Sequence, residues 1–177
     1  NGPGLLGSLL VGSSFAKAFA MGLKIPIIEV NHMHGHILAH FIEENDGSSN
    51  KPQFPFLCLT VSGGHTQIVK VTNYFTMEVI GETIDDAAGE AFDKVAKMLN
   101  LPYPGGPLLD KHAQKGNSER FKFPHPRVKE LNFSFSGLKT SVLYFLRKEL
   151  QTNDNFISEN LDDICASVQK TIVDILM

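Results

Sequence analysis

Two histidines four residues apart are the side chains best placed to do chemistry in this sequence. His32 and His36 follow a short β-branched run that ends at Val30, and Asn31 is a suitable helix N-cap. On a helix this spacing puts both imidazoles on one face, where they can bind one ion. Such a pair can also simply hydrogen-bond at a helix start. Because ligands in α/β folds usually bind at the carboxyl ends of strands, we predict two metal ligands here.

The surrounding residues limit the chemistry of this pair. A zinc protease of the H-E-x-x-H type needs Glu directly after the first His as its general base, and Met33 stands there instead. Two His with one carboxylate and open positions are typical of non-haem iron or catalytic zinc. The sequence offers no obvious general base, and none is assigned.

A glycine turn is the second candidate. The run Thr60-Val61-Ser62-Gly63-Gly64 lies between two apolar β-runs, and its glycines let backbone N–H groups approach a phosphate closely. Asp93 lies on the next predicted helix, and Gly105-Gly106-Pro107 opens another, whose N-terminus could face an anion. Taken singly, each feature is more often structural, because most Gly-Gly dipeptides are turns and most helical charges are solvated.

Apolar periodicity and turn residues predict the elements that position these groups. The predicted helices are Leu5–Met21, His32 to about Glu44, Ala87 to about Leu99 capped by Asp85 or Asp86, Leu108–Gln114, Gly137 to about Leu150, and Leu161 onward. The predicted strands are Ile25–Val30 and a meander of Phe54–Val61, His65–Val71 and Phe75–Ile80. Residues 116–135 are expected to be irregular and pinned by buried phenylalanines.

Composition narrows the class of protein. The net charge of −3 provides no overall basic field, so any RNA contact must come from a local patch or a partner. Cys58 and Cys165 lack metal-type spacing, and we find no signal peptide or membrane-length apolar run, which indicates a reduced, cytoplasmic compartment. The polar run at residues 45–52 is the predicted boundary between a part spanning residues 1–48 and a part spanning 53–177.

Five segments in order make the sequence specific. It contains N-H-M-H-G-H, L-T-V-S-G-G-H-T, G-E-T-I-D-D-A-A-G-E-A-F-D-K, Y-P-G-G-P-L-L-D and F-S-F-S-G-L-K-T. In this order and spacing they resemble the tRNA N6-adenosine threonylcarbamoyltransferases, a family of Kae-type proteins formerly described as O-sialoglycoprotein endopeptidases. The resemblance covers nearly the whole chain and is closest to the bacterial or organellar branch.

The resemblance implies a fold and a reaction. Family members have the actin-like, sugar-kinase-like ATPase fold, in which a nucleotide and a metal lie between two lobes. Residues 1–48 would then end the first lobe, and residues 53–177 would form a truncated second lobe. The implied reaction transfers a threonylcarbamoyl group from threonylcarbamoyl-AMP to N6 of adenosine 37, in tRNAs that read codons beginning with A. The implied partners are tRNA, a paralogous actin-fold subunit and a P-loop ATPase, with no membrane.

Site roles follow from positions within the motifs. By the resemblance, His32 and His36 would bind Fe²⁺, with zinc as the other possible metal. Thr60, Val61, Ser62, Gly63 and Gly64 would line the threonylcarbamoyl-AMP substrate. Asp93 would hold the ribose, and Gly106 with Asp110 would complete the nucleotide pocket.

The sequence departs from the family pattern in two ways. His34 replaces a residue that is often Glu in relatives, and we expect its side chain to be exposed. The third metal ligand of the family is an Asp in a C-terminal segment, and a phosphate-binding hairpin precedes the first motif. We expect both to lie outside a chain that is a fragment, and the fragment alone to be inactive. The rival hypotheses are a metalloendopeptidase, an actin-fold small-molecule kinase and a non-catalytic assembly subunit.

Overall fold

The computed structural model describes residue 2, residues 6–42 and residues 51–177. In this part the helices are α1 Leu6–Leu23, α2 His32–Leu38, α3 Ala88–Met98, α4 Gly105–Ala113, α5 Ser136–Leu150 and α6 Phe156–Leu176. A short 3-10 helix, Ala39–Phe41, follows α2. The strands are β1 Phe56–Val61, β2 Thr66–Asn73 and β3 Thr76–Glu82. The predicted α/β class is confirmed.

The three strands form one antiparallel sheet in the order β1-β2-β3. This is the predicted meander, with the Ser62-Gly63-Gly64 turn between the first two strands. In β2 the side chains of Val69 and Val71 are buried and the Lys70 side chain between them is exposed, as strand alternation requires.

The chain divides into two compact units, and the strands contribute residues to both. The first contains residues up to 60 and residues 69–78. Its buried core is small and consists of Ile37 from α2 with Val69 and Val71 from β2. The buried face of α2 is therefore fixed to the sheet.

The second unit contains residues 61–68 and 79–177 and holds the larger core. Helices α3 to α6 pack around side chains that are almost fully buried. The largest of these are Leu109, Phe135, Leu138, Ile164 and Ile172. Burial of a side chain of this size contributes roughly 1.5 to 3 kcal/mol, so this core determines the relative positions of α3 and α4.

Residues 116–135 are mostly irregular, as predicted, and aromatic side chains attach them to the helices. Phe123, Phe133 and Phe135 are buried, and Phe121 is half-buried. The Phe121 and Phe145 rings lie 5.0 Å apart, and the Phe133 backbone forms an isolated parallel bridge with Thr83. The irregular segment is therefore held at several points.

Four expectations about the elements are wrong. Residues 25–30 form no strand in the structure; Pro26 lacks an N–H, and no described strand pairs with this run. The α-helical part of α2 ends at Leu38, and Glu44 lies outside the described residues. Helix α4 begins at Gly105, three residues before the predicted start, and α6 begins at Phe156, five before.

Helix α1 buries little of its apolar surface within the described residues. Only Ala20 is buried, while Leu6, Val11 and Phe15 are more than two-thirds exposed. The helix is long and apolar enough to cross a membrane, which corrects the prediction that no such run exists. One helix of this kind is weak evidence for a membrane span, because buried core helices and signal sequences near an N-terminus meet the same criteria.

Both cysteines are free thiols. Cys165 is fully buried, and burial, followed by the nearby Asp162 charge, raises its pKa to about 12. The thiol is therefore protonated at neutral pH and unreactive.

The predicted boundary at residues 45–52 falls mainly outside the described residues, so it stays a prediction.

Candidate functional site

Asn31 starts the helix that carries the histidine pair, as predicted. Its Oδ1 accepts hydrogen bonds from the backbone N–H groups of Met33, at 2.9 Å, and His34, at 3.2 Å. His32 and His36 are one turn apart on α2, and both side chains are exposed. Their Nε2 atoms lie 3.1 Å apart, and the rings meet edge to face with centroids 4.5 Å apart. The structure therefore brings the two predicted ligands together.

The adjacent, buried face of α2 fixes the direction of the pair. Met33 and Ile37 are 6% and 1% exposed, and they lie one turn apart like the histidines. Burial of these two side chains prevents the helix from rotating about its axis. His34 is half-buried, so the expectation that its side chain is exposed is wrong.

Two imidazole nitrogens at this distance need a hydrogen atom or a metal ion between them, because their lone pairs would otherwise repel each other. One arrangement is a hydrogen bond, with one Nε2–H donating to the other ring. The other is a metal ion, since two nitrogens bound at about 2.1 Å and roughly at right angles would lie about 3.0 Å apart. The donor atoms fit a metal. Within the described residues no group of three His, Cys, Asp or Glu side chains is close enough to bind one, so any further ligands must come from elsewhere.

The glycine turn is closed by the side chain of Ser62. Its Oγ accepts hydrogen bonds from the N–H groups of Gly64, at 3.3 Å, and His65, at 3.0 Å, and Ser62 N–H donates to the His65 carbonyl at 2.8 Å. No described residue accepts from Gly63 N–H. Open space surrounds the positions where a Cβ would stand on Gly63 and Gly64. The Gly63 N–H is thus the donor of this turn that remains for a ligand.

Helix α3 begins against this turn. Gly89 N–H donates to the Ser62 carbonyl at 3.2 Å, and a Cβ on Gly89 would stand 2.8 Å from the Cα of Gly63. Ala88 N–H donates to Thr66 Oγ1 at 2.9 Å. Only glycine at position 89 allows the backbones to approach so closely.

Asp93, one turn further along α3, makes a specific contact with the start of α4. Its Oδ1 accepts from the N–H groups of Gly105, at 2.9 Å, and Gly106, at 3.1 Å. The anion at this helix N-terminus is therefore the protein's own carboxylate, which agrees with the expectation that such a feature is more often structural. No described residue hydrogen-bonds Asp93 Oδ2.

An open cavity of about 460 Å³ adjoins Asp93. Its lining includes Lys97, Leu101, Tyr103 and Gly105, so polar and apolar groups both face it. This volume suits a nucleoside-sized ligand. Asp93 lines this cavity, and its Oδ2, which has no hydrogen-bond donor among the described residues, suits a sugar hydroxyl.

Gly106 and Asp110 lie one turn apart on α4, on the same face. Asp110 Oδ1 accepts from Gln169 Nε2 at 2.8 Å, and its Oδ2 accepts from Gln114 Nε2 at 2.9 Å. These two amides fix the carboxylate plane. Gly106 is bonded to Asp93 and lies one turn before Asp110, and all three residues belong to the second unit, while His32 and His36 belong to the first.

Asp85 is the residue whose role the sequence reading missed. We expected it, or Asp86, to cap α3, but Ala87 is the N-cap residue and no side chain caps it. Asp85 Oδ1 instead accepts from Phe135 N–H at 2.7 Å and Ser136 N–H at 3.3 Å. Its Oδ2 accepts from the hydroxyls of Ser134, at 2.5 Å, and Ser136, at 2.8 Å. The sequence offered one signal for this contact: Asp85 and the run Phe133-Ser134-Phe135-Ser136 both belong to the five quoted motifs.

Asp86 forms an ion pair with Lys94 at 2.6 Å.

The hydrogen bonds to Asp85 predict a pH-dependent stability. Burial raises the pKa of this carboxyl, but the bonds from Ser134, Phe135 and Ser136 outweigh it and leave the pKa below its ordinary value. The stabilisation is therefore present above the unfolded-state pKa and is lost as the pH falls through the folded-state pKa. We expect Asp85→Asn to destabilise the full-length protein by about 1 to 2 kcal/mol at pH 7, a range reduced for exposure.

Urea unfolding at several pH values checks this prediction. The stability difference between wild type and Asp85→Asn should be constant from pH 8 to about pH 5.5 and should narrow as the pH approaches 4. Asp154→Asn, which removes an exposed carboxylate, is the matched control and should show no such difference. A gap that widens on acidification would contradict the assignment.

Comparison with known proteins identifies the family of the chain. The family model of tRNA N6-adenosine threonylcarbamoyltransferase matches residues 1–177. Proteins of that name are 68% identical in Christiangramia forsetii and 64% identical in Riemerella anatipestifer, each over 99% of this chain and 51% of the relative's length. The relative from Cytophaga hutchinsonii is 60% identical over 100% of this chain and 50% of its own length.

The chain spans about half the length of the curated relatives it matches. A family model that covers all 177 residues, together with identities of this size, establishes the relationship. The chain belongs to the tRNA N6-adenosine threonylcarbamoyltransferase family.

Proposed function

We propose that the full-length protein containing this chain transfers a threonylcarbamoyl group from threonylcarbamoyl-AMP to N6 of adenosine 37 in tRNA. The substrate tRNAs are those that read codons beginning with A, and the product nucleoside is N6-threonylcarbamoyladenosine. The observation that carries the proposal is the match to this family over the whole chain. The geometry of the second unit supports it, because it provides a free carboxylate oxygen at a nucleoside-sized cavity.

The proposed adenylate site is the group around Asp93. Asp93 Oδ2 accepts a hydrogen bond from a ribose hydroxyl. Oδ1 keeps α4 in place by accepting hydrogen bonds from the N–H groups of Gly105 and Gly106. Because both of these amides are used by Asp93, Gly106 serves the nucleotide by its small size, and not as a donor. Asp110, held by two glutamine amides one turn beyond Gly106, does not line this cavity and would contact the nucleotide from further along α4.

The glycine turn would hold the acyl phosphate end of the same substrate. Thr60, Val61 and Ser62 lead into it, and Gly63 N–H is the free donor. A backbone N–H aimed at an oxygen that gains negative charge in the transition state lowers the barrier without moving. Ser62 keeps the turn in this conformation through its Oγ.

His32 and His36 are the proposed protein ligands of Fe²⁺, with zinc as the alternative metal. When bound, such an ion supplies a Lewis acid for acyl or phosphate oxygens. The chain's own contribution is to hold the two Nε2 atoms 3.1 Å apart on a helix that Met33 and Ile37 prevent from turning.

The rival hypotheses lack support in the described residues. A metalloendopeptidase needs a base beside the metal, and Met33, at the position of that base, is buried. A small-molecule kinase of the actin fold gives the histidine pair no purpose. A pure assembly subunit would not need the Asp93 pocket.

The proposal includes partner proteins and a cellular compartment. The full-length protein would adopt the two-lobed actin-like fold, act in the cytoplasm on tRNA, and work with a paralogous actin-fold subunit and a P-loop ATPase.

A reconstitution experiment tests the activity. Full-length protein, the two partner subunits, threonylcarbamoyl-AMP and tRNA lacking the modification are combined, and nucleoside digests are analysed by mass spectrometry. The modified nucleoside should appear and should depend on the full-length protein. If it is absent while a relative succeeds in the same assay, the proposed function is wrong.

A further inference from the structure

A stretch that begins in the last turn of α4 and continues towards α5 has a charge unlike the rest of the chain. Residues 111–129 contain six Lys and Arg side chains and a single acidic side chain, Glu119, although the whole chain has a net charge of −3. The part from Lys122 to Lys129, which we term the basic segment, has no acidic residue. Its cations are Lys122, Arg127 and Lys129, with His125 between them.

The basic segment turns its charges outward. Lys122, His125, Arg127 and Lys129 are exposed, whereas Phe123 is only 7% exposed. From His125 to Lys129 exposed and half-buried residues alternate, so three polar side chains point away from the body in succession.

These cations are not neutralised by carboxylates. Among the described residues, none forms an ion pair with Lys122, Arg127 or Lys129. Two neighbouring cations do have such partners: Arg120 pairs with Asp163 at 2.6 Å and Lys170 pairs with Asp174 at 2.7 Å.

Lys122 and His125 line a depression together with two acidic residues, Glu119 and Asp174. Both acids form ion pairs with Lys170. Other exposed cations, such as Lys70 and Arg147, also have no ion-pair partner among the described residues, but the basic segment places three such cations within eight residues.

The segment is held firmly at both sides. Before it, Phe121 N–H donates to Ser167 Oγ at 3.2 Å, and the Phe123 ring meets Phe145 with centroids 5.6 Å apart. After it, Phe133 pairs with Thr83. Pro124 and Pro126 fix their own φ angles and keep the residues before them extended. Little conformational entropy would be lost when a partner binds.

From these observations we infer that the basic segment is a docking surface for the phosphate backbone of the substrate RNA. Unpaired cations on a preorganised extended chain match a polyanion. A protein partner fits less well, since the segment exposes no large apolar side chain and its prolines cannot donate hydrogen bonds to an added strand. The identity of the RNA as tRNA rests on the proposed function.

The position of the segment suits this role. Lys129 is five residues before Ser134, so their Cα atoms lie at most about 18 Å apart. Ser134 hydrogen-bonds Asp85, at the entry to the helix that carries Gly89 and Asp93. The segment thus leads into the structure that supports the proposed adenylate site.

Salt-dependent binding of unmodified tRNA to the full-length protein tests the inference. The variant Lys122→Gln, Arg127→Gln, Lys129→Gln removes three charges, and Lys70→Gln, Arg147→Gln, Lys148→Gln removes the same number from other exposed, unpaired positions. Fluorescence anisotropy from 50 to 300 mM KCl gives the affinity and its salt slope. We expect the first variant to bind roughly 10- to 100-fold more weakly at 100 mM, with a slope smaller by about 2 to 3. The second should resemble wild type.

The outcomes separate this inference from the proposed function. If wild-type protein binds tRNA but does not modify it, the proposed function is wrong. The comparison of tRNA binding by the two variants would still test the role of the basic segment. The inference is wrong if wild type does not bind tRNA, if the first variant keeps its affinity and slope, or if the control variant loses as much. It is also wrong if the first variant binds tRNA normally but no longer binds its partner subunits.

Discussion

In the full-length protein, His32→Ala should lower kcat/KM for the proposed tRNA modification by at least about 100-fold if the pair binds the proposed metal ion, because the variant would then lack an interaction that stabilises transition-state charge. Folding should be unaffected, since the His32 side chain is exposed and α2 is held by Met33 and Ile37 on another face. Metal content, measured by mass spectrometry of the purified protein, should fall in parallel. The same result is expected for His36→Ala.

The double variant distinguishes a shared ion from two separate roles. If both histidines bind one metal, replacing the second after the first should have little further effect, because residues that act as a unit are not additive. His34→Ala is the matched control on the same helix and should keep both the metal and most of the activity. Normal metal content and rate in His32→Ala would show that the pair is only a hydrogen-bonded feature of α2.

The second large effect concerns two adjacent glycines. A Cβ on Gly105 would lie 2.3 Å from the Cβ of Ala96, in the contact between α3 and α4. We therefore expect Gly105→Ala to destabilise the protein by about 1 to 3 kcal/mol through overpacking. Thermal unfolding followed by circular dichroism would measure the decrease in Tm.

Gly106→Ala, at the next position, tests nucleotide binding without a change in stability. Its Cβ would meet only Phe92 Cβ, at an ordinary 3.8 Å, so the protein should fold with wild-type stability. If the nucleotide passes close to Gly106, the added methyl group should weaken AMP binding by at least about 10-fold in calorimetric titrations. Unchanged AMP affinity in stable Gly106→Ala protein would place the nucleotide elsewhere.

Local sequence signals predicted the parts of the structure that depend on neighbouring residues. Asn31 caps α2 as expected, because capping is a contact over two or three residues. The meander and its glycine turn follow from strand alternation and a Gly-Gly pair. The histidine pair is in place for the same reason, since a helix fixes the relation between positions four apart.

Contacts between distant residues were not predictable in this way. Asp85 looked like a cap for α3, but its partners are about fifty residues further along the chain. Asp93 looked like a solvated helical charge, yet it binds the first amides of α4. Residues 25–30 have strand composition without a partner strand among the described residues. The first two errors arose because a tertiary contact took precedence over a local preference, and the third because a strand forms only where another strand pairs with it.

Helix α3 connects the two sides of the proposed adenylate site mechanically. Gly89 at its first turn is in backbone contact with the glycine turn, and Asp93, four residues later, holds the start of α4. One helical turn is too stiff to let these contacts move independently. The turn and the start of α4 should therefore open together, and hydrogen exchange of their amides should show one common opening free energy. Ligand contact on either side would then reduce the fluctuations of both.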